Sequence, residues 1–173
     1  MATLNNRQIT YKSSLLSLNA SLTTTFNFLG LPQSPRQIPV DADVGTTSDF
    51  ASIDAPGLVT FHSKGVYFIR WSFNASANLI DAILLNNEMV YGLEINSLMQ
   101  TVYELTSWGI PTEGELRGFS FSTILPFDVD DTLSVNAWTL NTGGDNCSLI
   151  AKTDPATTTT IPAFDISIYR LWD

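Results

Sequence analysis

Apolar residues in this chain come in short runs, and Gly, Pro, Asn, Asp or Ser closes almost every run. Thr132–Trp138 alternates apolar and polar side chains, and Ala163–Trp172 alternates again, which predicts two half-buried strands. Val66–Phe73 is β-branched or aromatic almost throughout, between Gly65 and Asn74. It does not alternate cleanly, so it predicts a central strand covered on both faces. Leu79–Leu85, the turn formers Asn86-Asn87-Glu88 and then Met89–Ile95 predict a hairpin. Gly118–Phe127 predicts another strand, and Asp128-Val129-Asp130-Asp131 the turn after it. Leu98–Thr112 is less regular and ends in Trp108-Gly109-Ile110-Pro111, which predicts a surface loop. The four threonines Thr157–Thr160 predict a loop too, because β-branched residues disfavour a helix. Helical periodicity is scarce. The expected fold class is all-β, an antiparallel sandwich or barrel.

The 173 residues suffice for one domain that buries a core without metal or disulfide. Only 14% are charged, against about a quarter in ordinary soluble chains, so few positions are given over to solvated charge. The net charge of −9 argues against binding nucleic acid or an anionic membrane by bulk electrostatics. That charge is unevenly placed. The first forty residues carry Arg7, Lys12 and Arg36 and no acid, for +3. The remainder carries five cations against all 17 acids, for −12. A basic leader joined to an acidic body suggests a tail with its own partner.

Cys147 is the single cysteine, so the chain closes no disulfide on itself and builds no thiolate metal site. His62 is the single histidine, and it sits in the turn-like Phe61-His62-Ser63-Lys64-Gly65. No phosphate loop, nucleophile elbow or His-Glu-x-x-His is present, so no enzyme is expected, and no cofactor. Residues 13–35 are uncharged, but Ser, Thr and Asn interrupt them, so neither a spanning helix nor a signal peptide is expected. Asp128–Asp131 and Asp145-Asn146 suit turns better than a calcium site, because neither has the spacing of a calcium loop. Trp108 and Trp138 could stack on sugar rings, although packing is the blander role. Trp108, Glu113 and Glu115 together form the candidate ligand-facing loop.

At Leu58–Arg70 the sequence runs Leu-Val-Thr-Phe-His-Ser-Lys-Gly-Val-Tyr-Phe-Ile-Arg. This resembles the jelly-roll superfamily shared by tumour necrosis factor and the globular heads of complement-type collagenous proteins. There an aromatic residue is followed, a few positions on, by Gly-Val-Tyr-x-Phe opening a central strand. Phe61 and Gly65-Val66-Tyr67-Phe68-Ile69 fill that pattern, with Ile69 where the last aromatic often stands. Leu84-Leu85-Asn86-Asn87-Glu88 resembles the family's Leu-x-Arg-Asn-Gly turn without its Arg and Gly. Ser122–Val135 resembles its strand, Gly-Asp turn and strand, with Asp130-Asp131 in the turn. Ala163–Tyr169 resembles the closing strand, and Thr24–Phe28 and Ile38–Val44 match the opening ones.

The resemblance implies a ten-strand tumour necrosis factor-like jelly roll over residues 22–173, a leader over 1–21, and a homotrimer about a threefold axis. It implies that Tyr67, Ile69, Trp71 and Phe73 face the core. Val66, Phe68 and Arg70 then face the neighbours, joined by Ser120, Ser122, Ile124 and Phe164. Arg70 in an apolar strand needs a partner. Asp165 is the expected one. Alternatives are an anion gathered by three Arg70 side chains, or water at a strand end. The family includes virion surface proteins. Most members work outside a cell, and no export signal is legible here. The expectation is a trimeric head fibre, capsid decoration protein or receptor-binding tip on the virion surface. Arg7 and Lys12 would anchor the leader to a capsid or other virion protein, and the head could meet a host-surface glycan or receptor. The rivals are a bacterial surface or spore-coat trimer and a glycan-binding lectin.

Overall fold

The computed structural model describes residues 17–27, 34–42, 48–77, 87–108, 117–139 and 147–172. Arg7, Lys12, Leu79–Leu85, Glu113, Glu115 and Asp145-Asn146 lie outside them. The described residues form fifteen strands and no helix. They are β1 (Ser17–Leu22), β2 (Phe26–Asn27), β3 (Arg36–Gln37), β4 (Asp41–Ala42), β5 (Ala51–Ala55), β6 (Leu58–Phe61), β7 (Gly65–Ala77) and β8 (Asn87–Ile95). Then follow β9 (Leu98–Trp108), β10 (Arg117–Phe127), β11 (Thr132–Thr139), β12 (Cys147–Leu149), β13 (Lys152–Thr153), β14 (Thr160–Ile161) and β15 (Phe164–Trp172). Six of these are two- or three-residue pairings, which is why the count exceeds the expected ten.

All pairings are antiparallel. One sheet centres on β7, with β10 along one edge and β15, then β12, along the other, and continues through β1 to β4. The second sheet runs β5-β6-β11-β8-β9, with β3 also on β11. Period-two alternation in each sheet turns one set of side chains inward. From the first sheet come Tyr67, Ile69, Trp71, Phe73, Ile166 and Ile168; from the second come Phe61, Tyr91, Leu93, Leu133 and Val135, and all are buried. Aromatic rings join the layers: Trp71 meets Tyr91 at 6.1 Å between centroids, and Phe61 meets Tyr67 at 4.7 Å. The expectation for Tyr67, Ile69, Trp71 and Phe73 therefore holds.

Three expectations change. The leader does not extend to residue 21, because Ser17–Leu22 is a full strand between β15 and β4. Leu18 and Ala20 are buried there, and they alternate with the less buried Ser17, Asn19 and Ser21 in a period of two. Leu98–Trp108 is not a surface loop, since it pairs along β8, while the rest of the expected loop, 109–112, lies outside the described residues. Register shifts at Asn87/Met89 and Leu93/Glu94 break the period that would have revealed it. Met89–Ile95 does not pair back on 79–85, because β9 and β11 take its two edges. Its hairpin turn is Asn96-Ser97, with φ of 50° and 63°. Positive φ at both central residues is the turn that suits a twisted hairpin, here without the usual glycine.

Asp128–Asp131 is a turn, as expected. The Asp128 backbone N–H donates to Asp131 Oδ2 at 2.7 Å, and Asn96 Nδ2 donates to Asp131 Oδ1 at 2.7 Å. Asn96 Oδ1 in turn accepts from the Thr132 backbone N–H at 2.8 Å. These acids and amides are occupied in holding two turns together. Thr157 and its neighbours cap a small hairpin between β13 and β14.

Candidate self-association face

The alternation that sends Tyr67, Ile69, Trp71 and Phe73 into the core sends Val66, Phe68, Arg70 and Ser72 out through the other side of the sheet. The pairing register then places their neighbours. Across β10, Phe68 lies opposite Ile124, Arg70 opposite Ser122, and Ser72 opposite Ser120. Across β15, Phe68 lies opposite Tyr169, Arg70 opposite Ser167, and Ser72 opposite Asp165. Beyond β15, Ser17, Asn19 and Ser21 of β1 face Tyr169, Ser167 and Asp165. So Val66, Phe68, Arg70, Ser120, Ser122 and Ile124, chosen from the sequence, share one outer face.

That face has an apolar end and a polar end. At the apolar end Ile124 is 55% exposed and Trp172, opposite Val66, 57%, with Val66, Phe68 and Pro126 beside them. The Phe68 and Tyr169 rings tilt together at 6.2 Å. Gly65 lets the closing strand approach here, since a Cβ on it would lie 2.8 Å from the Trp172 carbonyl oxygen. The rim carries an exposed ion pair, Lys64 Nζ to Asp128 Oδ1 at 2.6 Å. Its hydrogen bond with Asp128 raises the Lys64 pKa above the ordinary lysine value. At the polar end Ser120, Ser122, Ser72, Ser167 and Asp165 lie around Arg70, with Asn19 and Ser21 one strand further on.

Phe164 does not belong to this face. It is 1% exposed, pairs with Phe73 and packs its ring 5.1 Å from that of Phe73. Phe164, Ile166 and Ile168 all point inward, and Asp165, Ser167 and Tyr169 point outward. The expected Arg70–Asp165 pair within one chain is not formed either. Arg70 Nε donates to Ser120 Oγ at 3.3 Å, while the Ser72 hydroxyl donates to Asp165 Oδ1. Arg70 leans towards β10, away from the strand that carries Asp165.

Trp138 is 9% exposed and so offers no open ring to a sugar. Trp108 ends β9 rather than lying in a loop. His62 is exposed, with Nε2 2.8 Å from Ser52 Oγ, which donates to Asp54 Oδ1 at 2.6 Å. The Ser52 hydroxyl, followed by Thr60, holds the Asp54 carboxyl below the usual carboxylate range. Since the hydroxyl proton goes to Asp54, the histidine acts as donor, which is not the arrangement of an activated nucleophile. Among the described residues no group of three or more His, Cys, Asp or Glu side chains could hold a metal. Among the described residues no helix is long and apolar enough to cross a membrane.

Ser167 and Asp41 are the polar residues of this face that the sequence did not single out. Only the strand register places Ser167 opposite Arg70 and Asp41 two strands beyond β15, and register is not visible in one strand's own pattern.

No family model matches the chain, and no curated protein matches it in sequence. Solved structures do match in shape. Eiger, a tumour necrosis factor from S. frugiperda, superposes with a TM-score of 0.60 at 14% identity, over 91% of this chain and 93% of that one. Murine APRIL superposes with a TM-score of 0.53 at 8% identity, over 90% of this chain and 98% of that one. A second structure of murine APRIL gives the same score at 7% identity. With two antiparallel sheets, this strand order and these neighbours, the chain has the tumour necrosis factor-like jelly-roll fold.

Proposed function

We propose that this protein works as a homotrimer built on the outer face of β7, β10, β15 and β1, and that the trimer is a structural surface component of a virion. The observation that carries the trimer is the exposed apolar end of that face. A sheet already backed by a full core gains nothing from Phe68, Ile124 and Trp172 on its solvent side unless something covers them. A contiguous exposed apolar patch rimmed by polar residues marks an interaction surface. Covering it with two further copies closes a ring, as a head-to-tail contact does when its rotation closes.

The virion reading rests on the charge distribution. The +3 of the first forty residues against −12 elsewhere supports a docking segment for an acidic particle surface, with the acidic head projecting. A head fibre, a decoration protein and a receptor-binding tip all fit that arrangement. The trimer is tested by native mass measurement, where three times the chain mass is expected and a monomer removes the reading. The anchor is tested by deleting residues 1–16. The deletion stops there because Ser17 begins β1, and a cut to residue 21 would take a strand from the sheet. Truncated trimers that still decorate particles would remove the anchor.

A further inference from the structure

We infer that Arg70 of one copy pairs with Asp165 of the next, so that each contact of the assembly carries one ion pair contributed by two chains. This deepens the trimer reading and rests on it. The observation is a lateral separation of charge across a single face. Arg70 is exposed and hydrogen-bonded to Ser120 on the β10 side. Asp165 stands on β15, opposite Ser72 on one side and Ser21 on the other. One strand further, Asp41 of β4 lies opposite Ser21 and is exposed. The face is therefore positive towards β10 and negative towards β15, β1 and β4.

Within one chain these charges do not meet. Among the described residues Arg70 joins no carboxylate, and the Asp165 contact is with a hydroxyl. The surroundings are serines and Asn19, which hydrogen-bond but neutralise nothing. Covering such a face with a neutral or apolar partner would bury a guanidinium and a carboxylate without opposite charge, which is strongly unfavourable. A second copy solves this. In a cyclic head-to-tail contact, one side of a patch meets the other side on the neighbour. Here that brings the positive side against the negative side at every contact. It also excludes a contact in which the Arg70 side chains meet one another, since like charges would then be buried together.

The test uses charge reversal on the full-length chain, with native mass and sedimentation as readouts and circular dichroism as a check of folding. Arg70→Glu and Asp165→Arg change solvent-facing positions, so each chain is expected to fold. Each single variant is expected to weaken association about tenfold or more, and the double variant to restore it. An equimolar mixture of the single variants, one of them tagged, is expected to form mixed oligomers. Arg70→Gln and Asp165→Asn give the milder, uncharged comparison. A wild-type trimer that survives Arg70→Glu unchanged overturns the pair and leaves the trimer standing. Recovery in the double variant without mixed oligomers overturns it too, because the pair would then lie within one chain. A monomeric wild type overturns the trimer and the pair together.

Discussion

Phe61 and Phe127 lie ring on ring, with centroids 3.9 Å apart and 13° between planes, although β6 and β10 belong to different sheets. Phe61 is fully buried and Phe127 2% exposed. The stack therefore ties the two layers where the chain crosses from β6 into β7. Phe61→Ala removes one ring and leaves a cavity the stacked partner cannot fill. A loss of about 3–5 kcal/mol is expected in urea unfolding. A loss under about 1 kcal/mol would mean that the layers do not meet there as described.

Phe164 and Ile124 separate core from surface. Phe164→Ala is expected to lower unfolding stability by about 3–5 kcal/mol, because its ring packs on Phe73 inside the sandwich. Ile124→Asp, at a position 55% exposed, is expected to leave single-chain stability within about 0.5 kcal/mol. It should instead weaken association. Sedimentation at several concentrations, beside denaturant unfolding, tells the two effects apart.

Gly57 closes the turn between β5 and β6 at φ 84°, and a Cβ there would lie 2.1 Å from the Ile38 carbonyl oxygen. The Gly57 N–H also donates to the Val40 carbonyl at 3.0 Å. Gly57→Ala combines a left-handed backbone with a clash against backbone that cannot swing away. A cost of about 2 kcal/mol or more is expected in thermal unfolding, and a neutral result would contradict the turn.

The pH response follows from three exposed groups. Asp54 is lowered by Ser52 and Thr60, and Asp154 by the Ala156 backbone N–H and Thr157, both from 3.8. A folded pKa below the unfolded one means that the folded state binds fewer protons. These contributions are present above pH 3.8 and fade as pH falls through the lowered values. Lys64 is raised from 10.5, so its contribution is present below that pH and is lost as pH rises through the raised value. Melting curves should show small losses at both extremes. Asp54→Asn should flatten the acid limb without altering the alkaline one.

Strands with a clean period were legible in the sequence. Thr132–Trp138 and the closing strand were found because apolar and polar positions alternate there without interruption. The inward set of β7 was legible only through resemblance, since Val66 and Phe68 make its outer side apolar too. β1 was missed although Ser17–Leu22 alternates with period two, because it lies inside an uncharged, Ser/Thr/Asn-rich stretch read as a leader, and β9 was missed because register shifts scramble its period. Phe164 was assigned to the wrong side because alternation reveals that Phe164, Ile166 and Ile168 share a face, but not which face. Pairing with Phe73 decides that. The partner of Arg70 depended on cross-strand register, which resides in two sequences at once.

The pairing of Ser17 with Tyr169, and of Trp172 with Val66, sets the polarity of the whole head. β1 begins and β15 ends at one pole of the sandwich, while Ala77, Arg117 and Cys147 mark the opposite pole. In a cyclic trimer all three copies point the same way. The three leaders proposed above would then join at one pole, at Ser17, and three copies of any contact surface at the other would stand together. A ligand held weakly by one head would meet three in fixed register, so weak contacts would add up to lasting attachment. A peptide fused ahead of residue 17 would be presented at the leaders' pole and leave the opposite one open.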